Sequence, residues 1–141
     1  MSGFLLDTNV ISELIRPRPD PKVKNWIDST DESLLFLSVL TIGEIRKGIV
    51  KLSDRARRGA LELWLDNVLP LRFSGRILPI DQAVADRWGR LSGEAASRRM
   101  PLPVIDALLA ATALHYEMTL VTRNTKDVRR TRASVFNPWL P

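Results

Sequence analysis

The stretch FLLDTNVISE, residues 4–13, reads as a buried strand that stops on a carboxylate. Phe4, Leu5 and Leu6 are apolar without alternation, as expected of a strand covered on both faces of a sheet. Asp7, Thr8 and Asn9 follow, and apolar residues resume with Val10, Ile11 and Leu14. The spacing predicts a strand over 3–6 and a helix over 9–16 that stops before Pro17. Asp7 stands between them, either as a helix cap or as an acid presented at the end of a strand.

The same alternation recurs along the chain. Residues 22–30 read as a helix, and LLFLSV (34–39) as a buried strand. A helix over 41–52 carries Ile42, Ile45, Ile49 and Leu52 on one stripe, and a longer one over 54–69 ends near Pro70. RILPI (76–80) is a short strand, and Asp81 caps a helix that runs to about Arg99. The nearly all-apolar segment 104–117 predicts a buried helix. TLVT (119–122) and SVF (134–136) complete the strands. Strands of this kind, alternating with helices, predict an α/β fold: a mostly parallel sheet covered on both faces, in one domain over 1–141.

The charge balance is basic, with a net charge of +5 and arginine clusters at 55–58, 98–99 and 129–132. Such a balance suits either a solvated surface or a polyanionic partner. The clusters are not interleaved with aromatics, so no base-stacking platform is indicated. Cysteine is absent, which excludes disulfides and thiolate zinc sites. No apolar run is long enough to span a bilayer, and no secretory leader is expected at the N-terminus. A cytoplasmic address is the default expectation, with no membrane partner.

Parallel sheets bind ligands at the carboxyl ends of their strands, so polar residues just after strands are candidates. Asp7 follows the first strand, Glu44 the second, Asp81 the third, and Asn124 and Asp127 the fourth; Asp106 opens the helix that leads into the fourth. Each has a structural alternative. Asp7 and Asp81 suit N-caps, Glu44 completes a T-x-x-E capping box with Thr41, and Asp127 suits a turn with Asp–Arg contacts. Asp106 resists such an account, because its neighbours in VIDALLAATAL are almost all apolar. A helix N-terminus favours its charge by only ~0.3–1 kcal/mol, whereas desolvating an ion costs several kcal/mol. Asp106 therefore needs an arginine, a lysine or a metal.

Carboxylates gathered at one sheet edge repel one another, and a divalent cation removes the conflict. Oxygen donors suit Mg²⁺ or Mn²⁺. The one histidine, His115, reads as a C-terminal cap or surface residue. Thr8, Asn9, Thr122 and Asn124 are placed to orient carboxylates or water. Arg123 and Lys126 lie close before the RRTR cluster that holds Arg129 and Arg130, and such a cluster suits a polyanionic partner.

The motifs LLDTNVISE, LTIGEIRKGI, PVIDALLAATA, LVTRNTKD and the closing NPW resemble, in that order, the PIN-domain ribonucleases. More narrowly, they resemble the VapC toxins of bacterial toxin–antitoxin pairs, on the side that includes FitB-like proteins. The resemblance implies a three-layer α/β/α fold and a Mg²⁺- or Mn²⁺-dependent endoribonuclease. It matches Asp7, Glu44 and Asp106 to the family's first three acids, with Asp7 and Asp106 nearest the metal. It also implies a homodimer, a higher toxin–antitoxin assembly, and a small DNA-binding antitoxin of the VapB or FitA kind whose tail covers the acidic site. One position departs from the pattern. The slot two residues after Thr122 holds Asn124 rather than an acid, and Asp127 is the substitute.

Two readings from other classes compete. A haloacid-dehalogenase-type phosphatase also places an aspartate after its first strand but wants D-x-D, and here the third residue is Asn9. A non-catalytic nucleic-acid or protein-binding module accounts for the basic charge and the four tryptophans but leaves the acids unexplained.

Overall fold

In the computed structural model, which describes residues 3–141, five strands form one sheet in the order β3-β2-β1-β4-β5. They are β1 (Phe4–Leu6), β2 (Leu35–Ser38), β3 (Ile77–Leu78), β4 (Thr119–Val121) and β5 (Ser134–Phe136). Every pairing is parallel, so the sheet is wholly rather than mostly so. Phe4 pairs with Leu35 on one side and with Thr119 on the other. The chain thus builds outward from β1 through β2 and β3, then returns to lay β4 and β5 on the opposite side. The reversal point lies between β1 and β4, where such sheets open a crevice at their carboxyl ends.

Successive side chains on a strand face opposite ways, and the core follows that rule. Leu6 and Val121 pack with helices α1 (Thr8–Leu14), α2 (Pro21–Ser29), α3 (Val39–Val50) and α4 (Arg55–Leu63). Leu5 and Leu120 pack on the other face with α7 (Val104–His115), and Leu91 of α6 (Gln82–Ser97) joins that cluster. Both faces are covered, giving the expected three layers. The apolar runs of β1, β2 and β4 lack alternation because both faces of these central strands are covered, whereas the edge strand β5 leaves Ser134 and Phe136 exposed. No helix among the described residues is long and apolar enough to cross a membrane.

Three helices depart from their sequence readings. First, α3 begins at Val39, with the Ser38 hydroxyl accepting from the Leu40 N–H at 3.0 Å. Glu44 therefore lies in the second turn, and Thr41 is a buried helical residue rather than a cap. Second, α4 does not stop at Pro70. A wide π-type turn over Trp64–Val68 carries it into α5 (Leu69–Arg72). The Leu69 N–H reaches back to the Trp64 carbonyl, and Pro70 sits in the first turn of α5, where its missing N–H costs little. Third, α7 is buried only from Ala107 onward; Val104 is 59% exposed and Asp106 is partly exposed.

Two helix ends carry a residue in the left-handed region that is not glycine: Arg99 (φ 58) after α6 and Glu117 (φ 55) after α7. At the end of α7 the Met118 N–H donates to the Ala113 carbonyl at 2.8 Å and the Glu117 N–H to that of Leu114 at 3.3 Å. This bond pair closes helices whose next residue is left-handed, a position glycine fills without Cβ strain. Glu117→Gly is expected to stabilise the fold by about 0.5–1 kcal/mol, read as a higher midpoint in urea unfolding; a lower midpoint would contradict this account of the α7 terminus.

Candidate functional site

Asp7 is tied to the reversal point by its backbone, its N–H donating to the Val121 carbonyl at 2.9 Å. Its side chain is only 7% exposed. One carboxylate oxygen accepts from the Thr8 N–H at 2.7 Å, so the capping role is real. The other accepts from the Thr122 hydroxyl at 2.7 Å and more weakly from the Asn9 amide at 3.4 Å. Thr122, fully buried at the end of β4, also accepts from the Asn9 amide (3.2 Å) and the Asn124 N–H (3.1 Å). Thr8, Asn9, Thr122 and Asn124 thus form one network around a single carboxylate. Asn9 donates where a D-x-D motif would place a second acid, which argues against the phosphatase reading.

Glu44 reaches the same cleft from α3, its carboxylate accepting from the Thr8 hydroxyl. The hydroxyls of Thr8 and Thr41 lie 3.3 Å apart. Since Thr8 has a single proton and directs it at Glu44, Thr41 donates to Thr8. Asp106 comes from the first turn of α7. Asp7, Thr8, Asn9, Glu44, Asp106 and Asn124 line one cleft of about 440 Å³.

The acids feel one another. Burial pushes the Asp7 carboxyl above its ordinary range against the pull of its Thr122 and Thr8 hydrogen bonds, and the charges of Asp106 and Glu44 push the same way. Asp106 is raised by burial, then by Asp127 and Glu44. Among the described residues no lysine or arginine forms an ion pair with Asp7, Glu44 or Asp106. Asp106 is partly exposed, so its desolvation is milder than the apolar sequence around it suggested, yet burial remains the first cause of its raised carboxyl and the neighbouring acids add to it as expected.

Among the described residues no three acid, histidine or cysteine side chains stand close enough together to enclose a metal ion. A small hard cation does not require that, because Mg²⁺ keeps several waters and is held by one or two carboxylates plus substrate phosphates. The donor set fits such binding. It is all oxygen, Asp7 and Asp106 lie across one cleft, and the Asn9 Oδ1 acceptor is buried without a partner.

Asp127 lies apart from the cleft lining, in the short helix α8 (Thr125–Val128), and pairs with Arg130 at 3.0 Å. Of the two candidates for the fourth position, Asn124 borders the cleft and Asp127 acts on Asp106 through charge. Arg130 also donates to the Met100 and Pro101 carbonyls at 2.9 and 3.2 Å, so its guanidinium is engaged in holding that loop. Arg123 is exposed at the cleft with its guanidinium over the Trp139 ring, 5.2 Å from the centroid. Lys126 and Arg129 are exposed outside the cleft lining.

Sequence reading missed Ser12, Glu13 and Arg16, which line the cleft from α1 and the turn after it. Glu13 is 6% exposed and accepts from the Asp20 N–H at 3.0 Å and from Arg16 at 3.3 Å. It thereby pins Asp20, the N-cap of α2. A polar stripe of Asn9, Ser12, Glu13 and Arg16 at i, i+3, i+4 and i+7 was the available signal.

A family model described as "PIN domain" matches residues 4–133. The chain is 38% identical to "Toxin FitB" of Neisseria gonorrhoeae, covering 96% of this chain and 98% of that one. It is 32% identical to "VapC ribonuclease Y4jK" of Sinorhizobium fredii, over 98% and 99%. The crystal structure of FitAcB from Neisseria gonorrhoeae superposes with a TM-score of 0.92 at 36% identity, covering 98% of this chain and 99% of that one.

The raised Asp106 carboxyl sets a pH dependence. Between 3.8, its ordinary value, and its higher value in the fold, the native state holds more of the proton than the unfolded state. Its contribution is therefore fully present below 3.8 and is lost as pH rises through the folded value. In chelator-treated buffer, Asp106→Asn should melt above the wild type at pH 7, and the gap should close as pH falls toward 3.8. Equal melting temperatures at pH 7 would show that the acids do not oppose one another.

Proposed function

The chain belongs to the PIN domain family, and from that premise we propose that it is the toxin of a type II toxin–antitoxin pair, acting in the cytoplasm as a divalent-metal-dependent endoribonuclease. The carrying observation is the buried Asp7 carboxylate, which faces Glu44 and Asp106 with no basic side chain among the described residues paired to any of them. Among its relatives are proteins named as VapC ribonucleases, and FitAB was solved bound to a DNA fragment.

In this reading Asp7 and Asp106 hold Mg²⁺ or Mn²⁺. A cation there supplies an activated water and offsets the charge that develops on the phosphodiester. Thr8, Thr122 and the Asn9 amide fix the carboxylates before substrate arrives. Glu44, held by Thr8, and Asn124 orient water, and Asp127 tunes Asp106 by charge. Arg123, Lys126 and Arg129 carry the adjoining RNA backbone, while Arg130 shapes the loop ahead of Asp106. A small antitoxin of the VapB or FitA kind covers the acids with its tail, and the toxin assembles as a homodimer within a larger complex.

Purified protein should cut RNA with Mg²⁺ or Mn²⁺ and stop in EDTA, and Asp7→Asn or Asp106→Asn should lower the rate by roughly 100-fold or more. Cleavage that persists in EDTA or in both variants would refute the metal-carboxylate reading. A second readout needs no substrate. Millimolar Mg²⁺ should raise the melting temperature of the wild type, because a ligand of the native state stabilises it, and should leave Asp106→Asn nearly unmoved.

A further inference from the structure

The acidic cleft poses a difficulty for its own proposed substrate. Asp7, Glu13, Glu44 and Asp106 face it against Arg16 and Arg123. Arg16 is paired with Glu13, so little positive charge is left there to draw in a polyanion. The excess positive charge of the chain lies elsewhere.

A groove of about 670 Å³ runs along α6, with the α7 terminus and residues 130–132 as its other wall. Five arginines line it, Arg87, Arg90, Arg98, Arg130 and Arg132, against two carboxylates, Asp86 and Glu94. Asp86 is neutralised by Arg90 at 2.9 Å, and Arg130 by Asp127. Arg87, Arg98 and Arg132 are exposed and form no ion pair among the described residues. Leu91 and Leu114 supply apolar surface between them. α6 is 16 residues long, so the track extends over about 24 Å at 1.5 Å per residue.

At one end of the groove the chain runs on to the helix that carries Asp106. Near Arg98 the groove adjoins a smaller hollow bordered by Met100 and Leu102, and Arg130 fastens the Met100 and Pro101 carbonyls. α7 starts two residues beyond Leu102 and carries Asp106 in its first turn.

We propose that this arginine groove is the track that holds the RNA strand outside the acidic cleft, with Arg87, Arg98 and Arg132 as phosphate contacts. It rests on the ribonuclease reading of the cleft. Unpaired guanidiniums on an exposed wall bind phosphate oxygens in a fork geometry, and the apolar surface between them accepts sugar and base faces. The carboxylates of the cleft, which would hold the cation, then face a strand whose affinity is supplied largely outside the cleft.

The test measures binding of a fluorescent single-stranded RNA oligonucleotide across a salt series, in an Asp7→Asn background. The combined variant Arg87→Ala, Arg98→Ala, Arg132→Ala should weaken binding at least ~10-fold at about 0.1 M salt. The slope of log affinity against log salt should become shallower by about 2, since each lost single-strand phosphate contact removes roughly 0.7. The matching lysine variant should keep most of the slope, and melting curves verify that each variant is folded. An unchanged affinity and slope in the alanine variant overturns the track. So does loss of poly-glutamate binding with RNA binding intact, which would make the groove a site for an acidic protein segment. Failure of the ribonuclease reading is seen separately, as intact oligonucleotide after incubation of the wild type with Mg²⁺.

Discussion

The hydrogen bond from Thr122 to Asp7 joins the ends of β1 and β4, and the site depends on it. These two strands flank the point where the sheet reverses its order, so their carboxyl ends are not capped by a common crossover. A parallel sheet with both faces covered leaves that crevice as its natural opening. Asp7 sits there under opposed constraints. Its backbone still belongs to the sheet, while its side chain caps α1 and faces two further acids. Capping and acid presentation, which the sequence set against each other, are the same geometry.

Much of this was legible because the chemistry falls at element boundaries. The apolar run Phe4–Leu6 ends abruptly on Asp7, and the break at Pro101 and Pro103 announces the helix that carries Asp106. Asp81 is an N-cap as read, its carboxylate accepting from the Val84 N–H at 3.0 Å. Where the reading slipped, no such boundary existed. LFLSVLTI is continuous in hydrophobicity across the strand-to-helix transition, so Thr41 looked like the start when Ser38 is. Pro70 looked like a stop because a wide turn upstream has no sequence mark. Glu13 went unnoticed because its partner is a backbone N–H seven residues away, and backbone donors carry no residue label.

The basic residues divide in a way composition alone does not show. Arg46, Arg58, Arg72 and Arg76 are engaged with carboxylates of the α2–α5 layer or the turn before β2. Arg72 and Arg76 also lie over the Phe73 ring, 5.4 and 5.1 Å from its centre. Three of the tryptophans likewise serve packing: Trp26 meets Phe4 edge-on at 5.1 Å, Trp64 packs against the same core, and Trp139 is buried beneath Arg123. Surface exposed pairs of this kind add little stability. They neutralise these guanidiniums, whereas Arg87, Arg98 and Arg132 along the α6 groove form no ion pair among the described residues.

The bond between Asp7 and Thr122 spans 115 positions of the chain, and that separation has a consequence in time. A polypeptide still emerging from the ribosome carries Asp7 before β4 exists to pair with β1 and before Thr122 exists to hold the carboxylate. The acids from residues 7, 44 and 106 meet only when nearly the whole protein is available. Synthesis order therefore delays the site: a product that ends before residue 122 lacks the side chain that holds Asp7.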